Sequence, residues 1–223
     1  MKAMILAAGR GERLKPLTDR TPKPMLPLGG KPLIAHQLSW LRAAGVTEVV
    51  INLHHLGDQI EAFCGTGQGS DLTIAYSREK ALLETAGGLI KALPLLGDDP
   101  FMLLNGDIYT DFDFTQLPSA PPSWADLHVV LIPTPTFRAQ GDFEYANGRV
   151  VRRGNTFVYA CIAVVRPAWL RTLAPTGTPL SLQQPMFDAV AEGRVSAQVW
   201  PGRWTDIGSP EQLQAIQQEL ESG

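Results

Sequence analysis

The stretch Ala3 to Ala7 is apolar throughout and leads, after Ala8, into Gly9-Arg10-Gly11. A short run with no polar alternation predicts a strand buried on both faces, the kind found in parallel sheets with helices on either side. Glycines directly after such a strand permit positive φ and let backbone N–H groups approach an anion closely. Arg13 adds a planar cation matched to phosphate oxygens. Two better-known phosphate loops are excluded. Leu14 stands where the dinucleotide fingerprint needs its third glycine, and the Gly-Lys-Ser/Thr of the Walker loop is missing. Gly9 and Gly11 taken alone fit a plain glycine turn equally well.

The first half of the chain then alternates. Lys31 to Ala44 has helical spacing at Ile34, Leu38 and Leu41, with Gly45 as a stop. Glu48 to Leu53 reads as a strand, Leu56 to Phe63 as a helix, Gly65 to Gly69 as a glycine-rich turn, and Leu72 to Tyr76 as a third strand. Gly88 to Leu93 predicts a third helix and Phe101 to Leu104 a fourth strand, ending at Asn105-Gly106-Asp107. Strand and helix in alternation imply a mostly parallel sheet with right-handed crossovers, and ligands in such sheets gather at the strands' carboxyl ends. The unusual residues of this chain cluster after the first and fourth strands.

The second half reads differently. Leu127 to Ile132 and Thr156 to Val165 are strand-like, and Asn147-Gly148 within Phe143 to Val151 signals a hairpin. Pro167 to Leu173 and Leu182 to Ala191 read as helices. Ser209 is placed to cap a last helix that has Pro210 at its first position and Leu213, Ile216 and Leu220 on one face. No segment demands a domain boundary. The expectation is one α/β domain over residues 1–223, whose second half, from about residue 111, adds a lid or wall to the first.

Composition narrows the partners. With 44% hydrophobic residues the chain can build a sizeable core, and a formal net charge of -3 argues against a protein that coats nucleic acid. The two cysteines, Cys64 and Cys161, form neither a disulfide framework nor a metal-ligand spacing. No apolar run reaches membrane-spanning length, and the N-terminal stretch is too short and too quickly followed by glycines and charges for a signal peptide. The expected location is the cytoplasm. Oligomeric state is left open, a monomer being compatible.

Thr21-Pro22-Lys23-Pro24-Met25-Leu26-Pro27 is a stiff segment, because each proline fixes its own φ and restricts its predecessor. It aims the Lys23 ammonium with little entropy left to lose, and a cation so aimed lowers the cost of crowding anionic reactants. Alone it reads more simply as a rigid exposed loop with an incidental lysine. In combination, Leu6-Ala-Ala-Gly-x-Gly-x-Arg-x-x-Pro-Leu-Thr18, Pro22-Lys-Pro-Met25 and Lys31-Pro-Leu-Ile34 resemble the signature of the sugar-1-phosphate nucleotidyltransferase family. Asn52-Leu-His-His-Leu56, Glu84-Thr-Ala-Gly-Gly88, Asn105-Gly-Asp107 and Trp204-Thr-Asp-Ile-Gly208 extend the likeness along the chain.

That resemblance implies a Rossmann-like, mixed and mostly parallel sheet flanked by helices, the nucleotide-diphospho-sugar transferase fold. It implies that Gly9, Gly11 and Arg13 hold nucleotide phosphates, with Glu12 in the same loop. Lys23 would neutralise phosphate charge. Gly87 and Gly88 would let the backbone approach the base, and Asn52 and His54 would line the nucleotide site. Asn105 would touch nucleotide or sugar. It places Asp206 opposite Asp107, a pairing that spacing alone does not supply. Two carboxylates with phosphate oxygens and water suit octahedral Mg²⁺. Asp111 and Asp113 also suit ligation on one face of an extended run, but a helix cap before Thr115 is the simpler account.

The implied reaction joins a nucleoside triphosphate to a sugar 1-phosphate with loss of pyrophosphate. A sugar phosphate oxygen is ionised near neutral pH and needs no general base, so catalysis rests on positioning and on the charge of Arg13, Lys23 and the metal, with Asp107. Gly141-Asp142-Phe143 resembles a sugar-side segment of the short bacterial uridylyltransferases that act on N-acetylmuramic acid 1-phosphate in cell-wall recycling, which implies UTP as nucleotide and Asp142 as a sugar contact. Arginine suits carboxylates, so Arg138, Arg152 and Arg153 are candidates for that sugar's lactyl group, with a solvated surface as the alternative. One departure stands out: Cys161 sits where many relatives have glycine. A mannose-1-phosphate guanylyltransferase, a glucose-1-phosphate thymidylyltransferase and a non-catalytic nucleotide-sugar-binding subunit are the competing readings.

Overall fold

The computed structural model describes residues 1–67 and 71–222, so the last two residues of the expected turn at 65–69 lie outside the described residues. Along the first half run β1 (Lys2–Leu6), the small hairpin β2 (Pro27–Leu28) and β3 (Lys31–Pro32), α1 (Leu33–Ala43), β4 (Glu48–Leu53), α2 (Gly57–Cys64), β5 (Thr73–Arg78), α3 (Glu84–Leu96), β6 (Phe101–Asn105) and β7 (Ile108–Thr110). The second half adds β8 (Leu127–Pro133), β9 (Phe143–Ala146), β10 (Arg149–Arg153), β11 (Phe157–Val165), α4 (Pro167–Leu173), α5 (Gln183–Ala191), β12 (Val195–Val199), β13 (Trp204–Asp206) and α6 (Pro210–Ser222).

Nine strands form one sheet in the order β5-β4-β1-β6-β11-β8-β12-β10-β9. The strands β5, β4, β1 and β6 are mutually parallel. β11 then runs antiparallel to both β6 and β8, whereas β12 is parallel to β8. A further pairing of Phe157 with Phe143 brings β9 back to β11, so the far end of the sheet curls on itself. The expected mixed, largely parallel sheet flanked by helices is the architecture observed.

The apolar run of β1 has its physical reason in two cores. Ala3 and Ile5 pack with Ile34, Leu41 and Ile60 of α1 and α2, while Met4 faces Ala86, Leu89 and Ile90 of α3 on the opposite side. Alternate residues of a strand point to opposite faces, so a sheet covered on both sides needs apolar residues at every position. A third cluster joins Leu14, Leu26, Leu28 and Leu33 to Ile207, Leu213 and Ile216, packing α6 over the loops after β1. Burial of Leu213 and Ile216 contributes roughly 1.5–3 kcal/mol each to holding that helix in place.

Local chemistry sets the element ends. Gly45 at φ +77° closes α1, its N–H reaching Arg42 O and that of Val46 reaching Leu41 O, the two bonds of a Schellman ending. Lys31, expected at the start of that helix, is instead extended in β3, as a residue before proline prefers. Asn147 and Gly148 have φ of +50° and +78°, as the two-residue turn between β9 and β10 requires. The third helix is longer than its periodicity indicated and begins at Glu84. The short strands β7 and β13 carry too few residues to show a period and are absent from the sequence reading.

Candidate active site

The chain passes from β5 back across β1 to form β6, so the strand order reverses between β1 and β6, where α/β sheets hold ligands. A cleft opens there over the carboxyl ends of both strands, lined by Gly9, Gly11, Lys23, Asn52, Asn105 and Asp107 together with Ala7, Glu84 and Thr85. The strands are stitched at its floor by Gly106 N–H donating to Leu6 O at 2.8 Å. A side chain at Gly106 would meet Leu6 O at 2.7 Å, which is why glycine stands at that turn. Gly11 has φ +64° and packs on buried Thr18, whose hydroxyl donates to Gly11 O at 2.9 Å. Gly9 faces open space.

Lys23 extends from its proline-flanked turn to place Nζ 2.9 Å from Asp107 Oδ2. Asp107 follows β6, and the turn bearing it is gripped from behind by Gln37 of α1. The Gln37 amide donates to Asn105 O at 2.9 Å and to Ile108 O at 3.1 Å. Gln37 is fully buried, and its Oε1 has no hydrogen-bond partner among the described residues. Asp206 arrives from the far end of the chain on β13, which pairs antiparallel with β7, and Ile207 N–H donates to Asp107 O at 2.8 Å. Gln212 of α6 donates from Nε2 to Asp206 Oδ1 at 2.7 Å and accepts from Gly208 N–H at 3.0 Å. The guanidinium of Arg13 lies against Gly208: a Cβ built there would sit 3.0 Å from an Arg13 nitrogen.

Asn52 is buried at the end of β4. It accepts from Ala7 N–H at 2.7 Å and donates to Glu79 Oε1 at 2.8 Å, while Glu79 Oε2 accepts from Leu83 N–H at 2.9 Å. One buried carboxylate and one amide thereby tie the loop after β1 to the start of α3. His54 reaches Glu79 O through Nδ1 at 3.1 Å. Glu12 is ion-paired with Lys15 at 2.7 Å on the surface. Gly87 and Gly88 lie inside α3. A side chain on Gly87 would collide with the carbonyl oxygen of Thr178 and meet Leu180 N at 3.2 Å; one on Gly88 would meet Asn52 Nδ2 at 2.9 Å. Their smallness admits the 178–182 segment and the Asn52–Glu79 pair to the helix. The lining of the cleft on that side comes from Glu84 and Thr85.

Thr85 and Asn105 also border a second cavity that continues towards β9 and β11, lined by Asp142, Tyr159, Cys161, Gln183 and Phe187 among others. Asp142 Oδ2 accepts from Tyr159 N–H at 3.0 Å and lies 3.8 Å from Arg138 Nη1. Cys161 has φ +59°, a left-handed backbone where the register between β11 and β8 shifts. Burial, and then the charges of Asp107, Asp206 and Asp142, push its thiol well above the ordinary range. The residues that the two cavities share are Thr85 and Asn105. Asp113 caps the turn at Phe114–Gln116 through Thr115 N–H at 3.0 Å, as the simpler reading had it, whereas Asp111 accepts from Trp200 Nε1 at 2.9 Å.

The family profile described as Nucleotidyl transferase matches residues 2–141, more than half of the chain. This chain belongs to the nucleotidyl transferase family. Among its relatives is the N-acetylmuramate alpha-1-phosphate uridylyltransferase of Neisseria meningitidis, 44% identical over 97% of each chain. The mannose-1-phosphate guanyltransferase of Aspergillus fumigatus is 32% identical over 94% of this chain, which spans 61% of that relative's length. In fold, this nucleotidyl transferase superposes on a Bacillus anthracis protein put forward as a glucose-1-phosphate thymidylyltransferase and solved with sucrose. The TM-score is 0.85 at 23% identity, over 100% of this chain and 96% of the other.

Several residues of this nucleotidyl transferase's site escaped the sequence reading. Gln37 sits on the apolar face of a helix, where the pattern predicts a core residue, and a buried glutamine is the one signal it offered. Glu79 and Thr85 follow β5 and open α3, at positions that only the Asn52 contact and the meeting of two cavities single out.

Proposed function

We propose that this nucleotidyl transferase moves a uridylyl group from UTP to N-acetylmuramic acid 1-phosphate, giving the UDP-sugar and pyrophosphate. The reading extends to Mg²⁺ as cofactor, a cytoplasmic location and a role in peptidoglycan recycling, within a single domain whose first half takes the nucleotide. The observation that carries it is the 44% likeness, across nearly the whole of both chains, to an enzyme of that name. The absence among the described residues of any helix long and apolar enough to cross a membrane is compatible with it.

The chemistry asks little of the side chains beyond placement and charge. A sugar phosphate oxygen attacks the α-phosphorus in line; the new P–O bond forms as the bond to the bridging oxygen breaks, and pyrophosphate leaves. The nucleophile is already ionised and needs no side-chain base. The Gly9–Gly11 backbone would cradle the phosphates, Lys23 would turn from Asp107 to a phosphate oxygen, and Arg13 would offset the charge of the departing group. Asn52 would hold the loop, with Gly87 and Gly88 giving close passage and His54 and Glu12 at the rim of the nucleotide site. Asn105 and Asp142 would bind the sugar.

Asp107 and Asp206 would hold the magnesium. The donor chemistry supports this: Asp206 lies on β13, in register with Ile108 next to Asp107, and two hard carboxylates suit that ion. When bound, the metal would supply Lewis-acid neutralisation of phosphate charge.

Pyrophosphate release, measured with UTP, GTP and dTTP against N-acetylmuramic acid, mannose and glucose 1-phosphates, with and without Mg²⁺, tests the assignment. The expected best pair is UTP with N-acetylmuramic acid 1-phosphate, and only with the metal. A preference for GTP with mannose 1-phosphate, or no release from any pair, would replace it with a guanylyltransferase or a non-catalytic binding subunit.

A further inference from the structure

The guanidinium carbon of Arg153 lies 4.2 Å from the centroid of the Phe187 ring. Phe187 is a wall of the second cavity, the one that contains Asp142 and Tyr159. Arg153 itself borders a smaller hollow that shares Asp142 with that cavity. Its cation thus sits over an aromatic face at the rim of the pocket, which holds it without neutralising it. No ion pair to a described carboxylate engages it.

The neighbouring arginines are differently placed. Arg138 is within 3.8 Å of Asp142, and Arg149 is stacked on Trp124 at 3.4 Å. Arg152 pairs in register with Glu144 on β9 and lies close enough to favour that carboxylate's ionised form. Arg153 combines a rim position, a planar donor fork and an uncommitted charge, which together suit bidentate binding of a carboxylate.

We infer that Arg153 reads an acidic substituent on the sugar and so selects a carboxylate-bearing sugar 1-phosphate over its neutral counterpart. This rests on the sugar assignment proposed above and adds the residue that enforces it. Asp142 beside the same cavity makes that cation necessary: with the Arg153 charge removed, a substituent carboxylate near Asp142 would be repelled. Because the substituent is remote from the reacting phosphorus, loss of the contact should appear mainly in KM for the sugar rather than in kcat.

The test compares wild type, Arg153→Met and Arg153→Lys on two substrates, N-acetylmuramic acid 1-phosphate and N-acetylglucosamine 1-phosphate, with UTP. Methionine keeps an apolar stem on Phe187 while removing the charge; lysine keeps the charge without the fork. The readout is the ratio of kcat/KM for the acidic sugar to that for the neutral one, a quantity independent of how much of each variant is folded. Arg153→Met should lower the ratio by about 10- to 100-fold, with Arg153→Lys intermediate. A ratio within threefold of wild type for Arg153→Met, or a wild type that does not favour the acidic sugar over the neutral one, overturns the inference and leaves the reaction class standing. Failure of the wild type to use either sugar overturns the sugar assignment, and this inference with it.

Discussion

The Lys23 ammonium lies 2.9 Å from Oδ2 of Asp107, two residues that a sequence reading assigned separately to phosphate and to metal. Both side chains are largely shielded, with 14% and 27% of their surface exposed, so each is the other's chief electrostatic partner. Substrate phosphate and a divalent ion would divide this pair between them, the lysine going to one and the carboxylate to the other.

Asp107→Asn should leave the melting temperature within a few degrees of wild type and reduce kcat by about 10³-fold or more, since the neutral amide cannot offset a cation. Lys23→Ala should cost roughly 10²- to 10³-fold in kcat/KM. Steady-state pyrophosphate release with thermal melts as controls measures both, and wild-type kinetics in either variant would reject its role.

Gln37→Leu removes the two bonds that hold the turn around Asp107. Asn105 O and Ile108 O lose their buried donor, at a cost of about 1–3 kcal/mol in stability. The turn should loosen as well, so kcat should fall by roughly tenfold without a matching rise in KM for the nucleotide. Urea unfolding and steady-state kinetics on the same preparation separate the two effects. A variant with lowered stability and unchanged kcat would limit Gln37 to a packing role.

Cys161→Gly tests the departure at the junction of the cavities. A left-handed backbone costs a side-chain-bearing residue roughly 1–2 kcal/mol, which glycine relieves, while the half-buried thiol's contacts and the freer unfolded chain take back a similar amount. Net stability should therefore change by less than about 1 kcal/mol, and discrimination among sugar 1-phosphates should relax by about three- to tenfold. Because burial and three carboxylates keep the thiol protonated, Cys161 in the wild type should react with iodoacetamide at pH 8 far more slowly than free cysteine.

His128 gives a pH dependence of stability. Its ring spans β8 and β12, touching Ser196 Oγ at 3.0 Å and Gln198 Oε1 at 2.9 Å, and desolvation lowers its pKa below the ordinary value of 6.5. The unfolded chain then binds the proton more readily than the native one, so the contribution is complete above pH 6.5 and is lost as pH falls towards the native value. Melting temperature should decline from pH 7 to pH 5, and His128→Gln should flatten part of that slope. An identical slope in the variant would assign the decline to other groups, His36 first among them, since burial lowers its pKa as well.

The elements with strong local signals were legible. β4 matches its sequence-based bounds residue for residue, as does α4, and the Asn147-Gly148 turn and the Ser209 cap of α6 are where turn and cap chemistry puts them. α1 lost its first two residues to a hairpin because Pro32 imposes an extended Lys31. The strands β7 and β13, which carry the Asp107 and Asp206 ends together, were not legible, for a three-residue strand has no period to display. Gly87 and Gly88 were legible as special but not for what they touch, which is the 178–182 segment and the Asn52–Glu79 pair.

The sequence by itself determined a doubly covered parallel half, a glycine loop after its first strand and a lysine stiffened by prolines, because strand period, turn chemistry and proline geometry act over a few neighbouring residues. Tertiary structure alone decided that β13 carries Asp206 alongside the turn bearing Asp107, that Gln37 grips that turn, that Lys23 lies on Asp107 and that Arg153 rests on Phe187. Those contacts join residues far apart in the chain, and their stability comes from burying apolar surface and satisfying buried polar groups across elements, which no local pattern records.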